Sequence, residues 1–395
     1  MSNPMIQAAS CYDVLCVSPV GLEESEEFAL GMRDLRRRLP GARRWYVVAD
    51  GQEPPMPTDF MAWSDAPFLL VILNPALLVS GNLEAELLAL VDNAATDCVL
   101  PSDPRGFVPG VFIDYASRPG FDRFVARLAA GPRQMPFDGR SPWLYLVDRQ
   151  TLATCAADVT SWHDLPAALG ERAAIAGHAF VHSYSDYYDN DRAEMLRLIP
   201  DGVHTLLDIG GGAGNFGLAF MRERGGQATL LEQNRVMAAA ARQKGLTVLE
   251  GDSRDITLTE RYDCVSFLDV LEHIPDPLAA LLKARQALKP GGYVLLSVPN
   301  VGHWSVVWDL LEGRFDYIPV GILCTTHVRF FSRSGLQTLL DDAGLSVERW
   351  ENSASPLPEP LAAFLACRTA QGVALDLESL ATDSFHVLAC CPGGV

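Results

Sequence analysis

The run from Thr205 to Gly217, Thr-Leu-Leu-Asp-Ile-Gly-Gly-Gly-Ala-Gly-Asn-Phe-Gly, joins an apolar strand ending on an acid, Asp208, to a turn containing Gly210, Gly212 and Gly214. Glycines let the backbone turn tightly and approach a ligand closely, and the helix they open offers unpaired N–H groups to polar atoms. That is the chemistry of a nucleotide-cofactor loop. It does not alone name the cofactor, because Gly212, Gly214 and Gly217 also satisfy the dinucleotide spacing G-x-G-x-x-G, with Glu232 suitably placed beyond. Further acids narrow the choice. A second apolar run, Gln227 to Glu232, ends in a carboxylate able to accept from both ribose hydroxyls, and a third, Thr247 to Gly251, leads into Asp252 and Ser253. Ligands of an open parallel sheet sit outside the carboxyl ends of its strands, so Asp208, Glu232 and Asp252 are expected to line one crevice. A nicotinamide site needs only the second of them.

The elements that must position these acids alternate regularly. A helix from Gly217 to Arg224 separates the first two strands. A fourth strand, Tyr262 to Leu268, runs into Asp269-Val-Leu-Glu-His273-Ile-Pro-Asp-Pro277 and a helix through Leu288. The Lys289-Pro-Gly-Gly292 turn then opens a fifth strand, Tyr293 to Val298, closed by Pro299-Asn300. Leu345 to Trp350 and Phe385 to Cys391 read as the last two strands, with a helix near Leu361 to Gln371 between them.

In order and spacing, this half-chain, from about Tyr184 to Cys391, resembles the class I S-adenosylmethionine-dependent methyltransferases. The resemblance implies an α/β fold with a seven-stranded Rossmann-like sheet whose final strand is antiparallel, preceded here by a smaller α/β domain. It implies S-adenosyl-L-methionine as cofactor. Asp208 and Gly210, Gly212 and Gly214 would hold its amino-acid end, Glu232 its ribose, and Asp252 with Ser253 its adenine edge. Asp269, Val270 and His273 would close over the methionine portion, and Tyr187 and Tyr188, in the tyrosine-rich lead-in, would lie over it as a lid. Tyr187 and Tyr188 could instead be a hydrophobic staple under the next helix. The segments Pro299 to Trp304, Gly313 to Tyr317 and Thr326 to Ser332 are similar to a subset that lies near, or is fused to, glycan-building enzymes. That association points to a saccharide or other small hydroxylated acceptor.

Methyl transfer from a sulfonium is an in-line displacement with a good leaving group, so the enzyme mainly has to hold nucleophile and methyl carbon together. A hydroxyl acceptor also needs a base, and histidine suits neutral pH. His327 and His303 are the candidate catalytic residues, ahead of His273, whose segment packs on the cofactor. Blander roles stand beside these: His327 could fix a loop by donating to a carbonyl, His303 could pack or cap, Asp269 could cap the next helix, and Glu272 is expected to face solvent. No residue spacing suggests a metal site.

A chain of 395 residues, 49% hydrophobic, should hold two domains with ample core. A formal net charge of −18 argues against nucleic acid as substrate. The arginine-rich stretch Arg33 to Arg44 is the basic exception and reads as a solvated helix face. Nine scattered cysteines fit a reducing cytoplasm. Met1 to Ser10 lacks the features of a signal peptide, and the apolar run Phe68 to Val79, broken by Asn74-Pro75, is too short to span a bilayer, so a soluble protein is expected.

Residues 1–150 read as the accessory α/β domain: strands Tyr12 to Ser18, Trp45 to Ala49 and Phe68 to Leu73, with helices Glu23 to Leu39 and Asn82 to Asn93. Their order weakly resembles nucleotide-sugar glycosyltransferases in which a strand ends in Asn-Pro-Asp. Here the stretch is Asn74-Pro75-Ala76, and the metal-binding acid is missing. A degenerate recognition or dimerisation domain is expected, and with it a possible homodimer. Residues 151–200 read as a helical linker and lid, with Leu152 to Ala179 helical, and residues 201–395 as the methyltransferase domain. The expected function is methylation of a small-molecule or saccharide hydroxyl. The alternatives are an N- or C-methyltransferase, a non-catalytic cofactor-binding partner of a glycan-assembly enzyme, and a nicotinamide oxidoreductase.

Overall fold

Successive residues of a strand face opposite sides of its sheet, and in the first half of the chain both sides are apolar. Val14 and Leu70 bury into one core with Leu35 and Leu87, while their neighbours Leu15 and Val71 bury into another with Phe60 and Trp162. Such runs demand cover on both faces. The computed structural model of the chain describes residues 12–17, 26–48, 52–91, 96–106, 115–155, 159–183 and 191–392. It divides into two compact units, Met1–Tyr184 and Ser185–Val395.

In the first unit the strands are β1 (Tyr12–Val17), β2 (Ala42–Val48), β3 (Phe68–Ile72), β4 (Leu77–Val79), β5 (Cys98–Ser102), β6 (Gln134–Pro136), β7 (Leu144–Asp148) and β8 (Ala173–Ser183). They form a mixed sheet in the order β2-β1-β3-β7-β5-β8-β4, with β6 also on β8. β1 lies parallel to both β2 and β3. The arginine-rich stretch ends the helix Glu26–Arg38, where cations favour the helix C-terminus, and continues into β2. Its members have local partners: Arg38 meets Asp34 at 3.6 Å, Arg43 meets Asp13 at 3.3 Å, and Arg36 lies 5.0 Å over the Trp45 ring.

The expectation of a helix over Leu152 to Ala179 is corrected here. Among the described residues of that span, only Arg149–Cys155 and Leu165–Leu169 are α-helical, and Ala173–Ser183 is a strand of the first unit. Alanine favours helix on its own, but β8 pairs with β5 on one side and with β4 and β6 on the other. Its alanines leave room for Ile175, Phe180 and Val181 to be buried as well.

In the second unit the strands are β9 (Thr205–Ile209), β10 (Gln227–Glu232), β11 (Thr247–Glu250), β12 (Tyr262–Leu268), β13 (Leu288–Pro299), β14 (Ser346–Ala354) and β15 (Thr382–Cys390). Their order is β11-β10-β9-β12-β13-β15-β14. The first five are mutually parallel, and β15 runs antiparallel to both β13 and β14. The chain moves from β9 outward to β11 and then returns to β12 on the other side of β9. The carboxyl ends of β9 and β12 therefore flank the switch point where open α/β sheets take ligands. The Lys289 to Gly292 turn is absorbed as a register irregularity in β13. Among the described residues, no helix is long and apolar enough to cross a membrane.

Candidate functional site

β9 delivers Asp208 to the switch point buried, 1% exposed. Ser266 on β12 donates to its Oδ1 at 2.6 Å, and its Oδ2 is buried with no hydrogen-bond partner. Burial pushes this carboxyl up to about 7, against the pull of the Ser266 bond, and Glu232 pushes the same way. The turn that follows is shaped to the acid. A Cβ on Gly211 would overlap Asp208 Oδ2, and one on Gly210, at φ 70°, would come within 2.8 Å of Val270 Cγ2. Glu232, at the tip of β10, is also buried and accepts from the Gly212 N–H at 3.0 Å and the Asn234 N–H at 2.7 Å. Burial raises this carboxyl too, although three backbone N–H bonds oppose the rise. The Gly214 N–H closes the loop onto the Gly211 carbonyl at 2.9 Å before the helix Asn215–Arg224 begins.

Asp252 lies beyond β11, held by the Arg254 guanidinium at 2.6 Å, which keeps its carboxyl below the usual range. The neighbouring Ser253 carbonyl accepts from Lys283 Nζ at 2.6 Å. Asp269 follows β12 in a left-handed conformation, φ 56°, uncommon for a side-chain-bearing residue. It accepts from Ser297 Oγ at 2.6 Å and from the Arg192 guanidinium. Burial works against its charge, but Arg192 and Ser297 outweigh it and hold the carboxyl low. Arg192 itself sits at φ 48° and donates to Ser297 Oγ at 2.8 Å. It was missed in the sequence; its signal was a lone arginine just before the helix Ala193–Leu196. Tyr187 and Tyr188 lie outside the described residues.

The short 3₁₀ turn Leu271–His273 presents Glu272 and His273. Glu272, expected to face solvent, is instead 1% exposed. The reason is the loop around His327: the Val328 and Arg329 N–H groups donate to the Glu272 carbonyl at 2.8 and 3.0 Å and bring that loop down over the turn. His327 is partly buried, donates from Nδ1 to the Ile322 carbonyl at 2.9 Å, and packs edge-on against the exposed His273, ring centres 4.8 Å apart. Burial, and secondly His273, lower its imidazole to about 4, so it is neutral at ordinary pH. His303 lies elsewhere, 2% exposed at the start of the helix Trp304–Leu311, with Ser305 Oγ at 2.8 Å from Nδ1 and Ser355 Oγ at 2.7 Å from Nε2. The loops carrying Phe315, Tyr317 and Phe330 form an aromatic cluster, ring centres 5.6 to 6.1 Å apart, with Phe315 and Tyr317 exposed.

Thus Asp208, the glycine turn, Glu232 and Val270 form one connected set, and His273 and His327 meet. The fit to an aminoacyl nucleoside rests on Asp208: a buried acid with one unpartnered oxygen suits a ligand's donor group. In the first unit, Asn74 Nδ2 donates to Ser183 Oγ at 2.7 Å and Oδ1 accepts the Ala76 N–H at 3.0 Å, so this buried turn holds its own strand end together.

A family model described as "Methyltransferase domain" matches residues 151–349, just over half of the chain. Among curated relatives, a "Ubiquinone biosynthesis O-methyltransferase" of Hydrogenovibrio crunogenus is 29% identical over 151 residues, 36% of this chain and 61% of the relative. One of the same name from Idiomarina loihiensis is 34% identical over 150 residues, 35% of this chain and 60% of the relative. The chain thus spans under two thirds of the length of these relatives. Among solved structures, an S-adenosylmethionine dependent methyltransferase from Mesorhizobium loti is similar over 51% of this chain and 98% of its own, at 18% identity and a TM-score of 0.36.

Proposed function

This chain belongs to the methyltransferase-domain family, and from that premise we propose that it moves a methyl group from S-adenosyl-L-methionine to a hydroxyl of a small molecule, a saccharide being the acceptor class we favour. The observation that carries the reading is the convergence of Asp208, the glycine turn and Glu232 at the switch point of the parallel sheet. The O-methyltransferase names of the relatives support oxygen as the attacked atom. The exposed rings of Phe315 and Tyr317 support a ring-shaped acceptor.

The cofactor, when bound, supplies a methyl group on a sulfonium whose departing thioether is a good leaving group. The chain's part is to hold and exclude. Asp208 and the turn Gly210 to Gly214 take the amino-acid end, Glu232 the ribose, Asp252 and Ser253 the adenine edge. Asp269, Val270 and His273 close over the remainder. The Gly212 and Asn234 N–H groups hold the Glu232 carboxylate at the tip of β10, as an acceptor for a ribose hydroxyl. His327, neutral and on the acceptor side, receives the hydroxyl; His303, enclosed by two serines, is the weaker candidate for this task. A cytoplasmic, homodimeric protein, whose first unit recognises the acceptor or pairs the subunits, completes the reading.

Titration calorimetry with S-adenosylmethionine, S-adenosylhomocysteine and NAD tests it on the whole chain and on Glu232→Ala. Binding of the first two, weakened at least tenfold in the variant, supports the cofactor site; binding of NAD alone would refute it. An acceptor screen read by product mass then decides between oxygen and nitrogen, and between a saccharide and another small molecule.

A further inference from the structure

In the first unit β1 lies between β2 and β3, parallel to both, and the chain visits them in the order β1, β2, β3. The helix Glu26–Arg38 packs on one face of β1, with Leu35 in the cluster that holds Val14, and Pro57–Trp63 packs on the other, with Phe60 in the cluster that holds Leu15. The carboxyl end of β1 is therefore a second switch point. On its Phe60 side lies a cavity of about 500 Å³, lined by Leu15 of β1, Tyr46 and Val48 of β2, and Glu53, Asp59 and Trp63. We propose that this cavity, built by the first unit alone, binds a small organic cation: an ammonium group on an apolar body.

Three observations point to a ligand there. The volume falls in the range of small-molecule pockets, about 300 to 1,000 Å³. Among the described residues of the first unit, the large apolar side chains left exposed are Val47, Met56 and Trp63. Val47 and Trp63 line the cavity, and Met56 follows Pro55, which also lines it. Apolar surface gathered at one cavity marks an interaction site. The indole is also held in place. Trp63 stands 6.3 Å from the Tyr46 ring and 6.4 Å from the Phe60 ring, and the Tyr46 hydroxyl donates to the Trp63 carbonyl at 3.2 Å, yet the residue stays 51% exposed. A fixed ring with an open side is a ready contact for a ligand.

Charge selects the class. No lysine, arginine or histidine lines the cavity, which excludes a phosphate or carboxylate ligand. The nearest cations are already offset: Arg44, beside Tyr46, meets Asp65 at 3.8 Å, and Arg43 meets Asp13 at 3.3 Å. Those two arginines and two aspartates cancel, so the Glu53 and Asp59 carboxylates give the cavity its surplus of negative charge. An ammonium answers both kinds of wall at once, attracted by carboxylates and by the faces of Trp and Tyr rings, while its apolar body takes the place of water against Leu15, Val47 and Val48. A neutral ligand would satisfy only the apolar part. Cation binding here does not depend on the methyl transfer proposed above.

Choline, benzyltrimethylammonium and the neutral isostere of choline, in which carbon replaces the charged nitrogen, are to be titrated into the full-length protein and followed by ligand-observed NMR. Both cations are expected to bind, choline about tenfold tighter than its isostere at low salt, with the preference shrinking as sodium chloride is raised. Trp63→Ala, and Glu53→Gln combined with Asp59→Asn, are each expected to weaken choline about fivefold or more, and the second to abolish its preference over the isostere. All three side chains are exposed, so the variants keep their fold, as thermal melts would report. Failure of both cations to bind, equal binding of choline and its isostere, or choline binding untouched by either variant overturns the site. Choline binding that follows the expected pattern in a chain found to bind no S-adenosylmethionine upholds the site and removes only the methyl-transfer reading.

Discussion

Asp208 is where burial and function pull against each other. Its carboxyl ionises at about 7 in the folded chain and at about 4 when unfolded. Below pH ~4 both states hold the proton and the burial costs nothing. Between pH ~4 and ~7 the unfolded chain has released its proton while the folded one keeps it, so stability falls as pH rises, by up to about 4 kcal/mol. Denaturant titrations at pH 5 and pH 8 are expected to show this loss, and Asp208→Asn to flatten it, leaving the variant more stable at pH 8 but about tenfold or more weaker for S-adenosylhomocysteine. Gly211→Ala is expected to displace Asp208 and lose S-adenosylhomocysteine binding in calorimetry while far-UV circular dichroism is unchanged. Gly210, Gly212 and Gly214 were legible because they match a spacing. Gly211 was not, because what demands it is a side chain folded back three residues in sequence. The meeting of His327 with Glu272 and His273 was equally hidden: it depends on two backbone bonds between segments 50 residues and more apart, which no spacing rule contains.

Elements were easier to read than their partners. Every strand of the second unit was visible as an apolar run ending in a turn, and the acids Asp208, Glu232 and Asp252 at the ends of the first three marked the carboxyl edge. β8 was misread because alanine speaks for helix until neighbouring strands claim both its edges. The Arg192 to Asp269 link shows what lies between elements: the segment before Ala193–Leu196 is tied to the end of β12 and to Ser297 on β13. Removing the cation strands a buried acid. Arg192→Ala is expected to cost about 3 kcal/mol in urea denaturation, toward the lower end for a broken buried pair because neither partner is fully enclosed. Adding Asp269→Asn should restore part of that loss; a double variant no better than the single one would show that the pair itself contributes little.

At the scale of the molecule, each unit has a sheet and apolar clusters of its own. Residues 185–395 expressed alone are expected to bind S-adenosylhomocysteine within about threefold of the whole chain, since Asp208, Glu232 and the glycine turn lie entirely inside that unit. The −18 charge predicts no retention of DNA or RNA in filter binding at physiological salt. The position of β15 between β13 and β14 has a consequence for synthesis. A ribosome releases β9 to β13 early, but the outer edge of β13 has no partner until Thr382–Cys390 has emerged, some eighty residues later. β14 cannot substitute, because it touches the sheet only through β15. The nascent chain must therefore carry an unpaired, strongly apolar strand through that interval, an invitation to neighbouring chains. A chain stopped before Thr382 keeps every proposed cofactor residue and is nonetheless expected to sediment with the insoluble fraction.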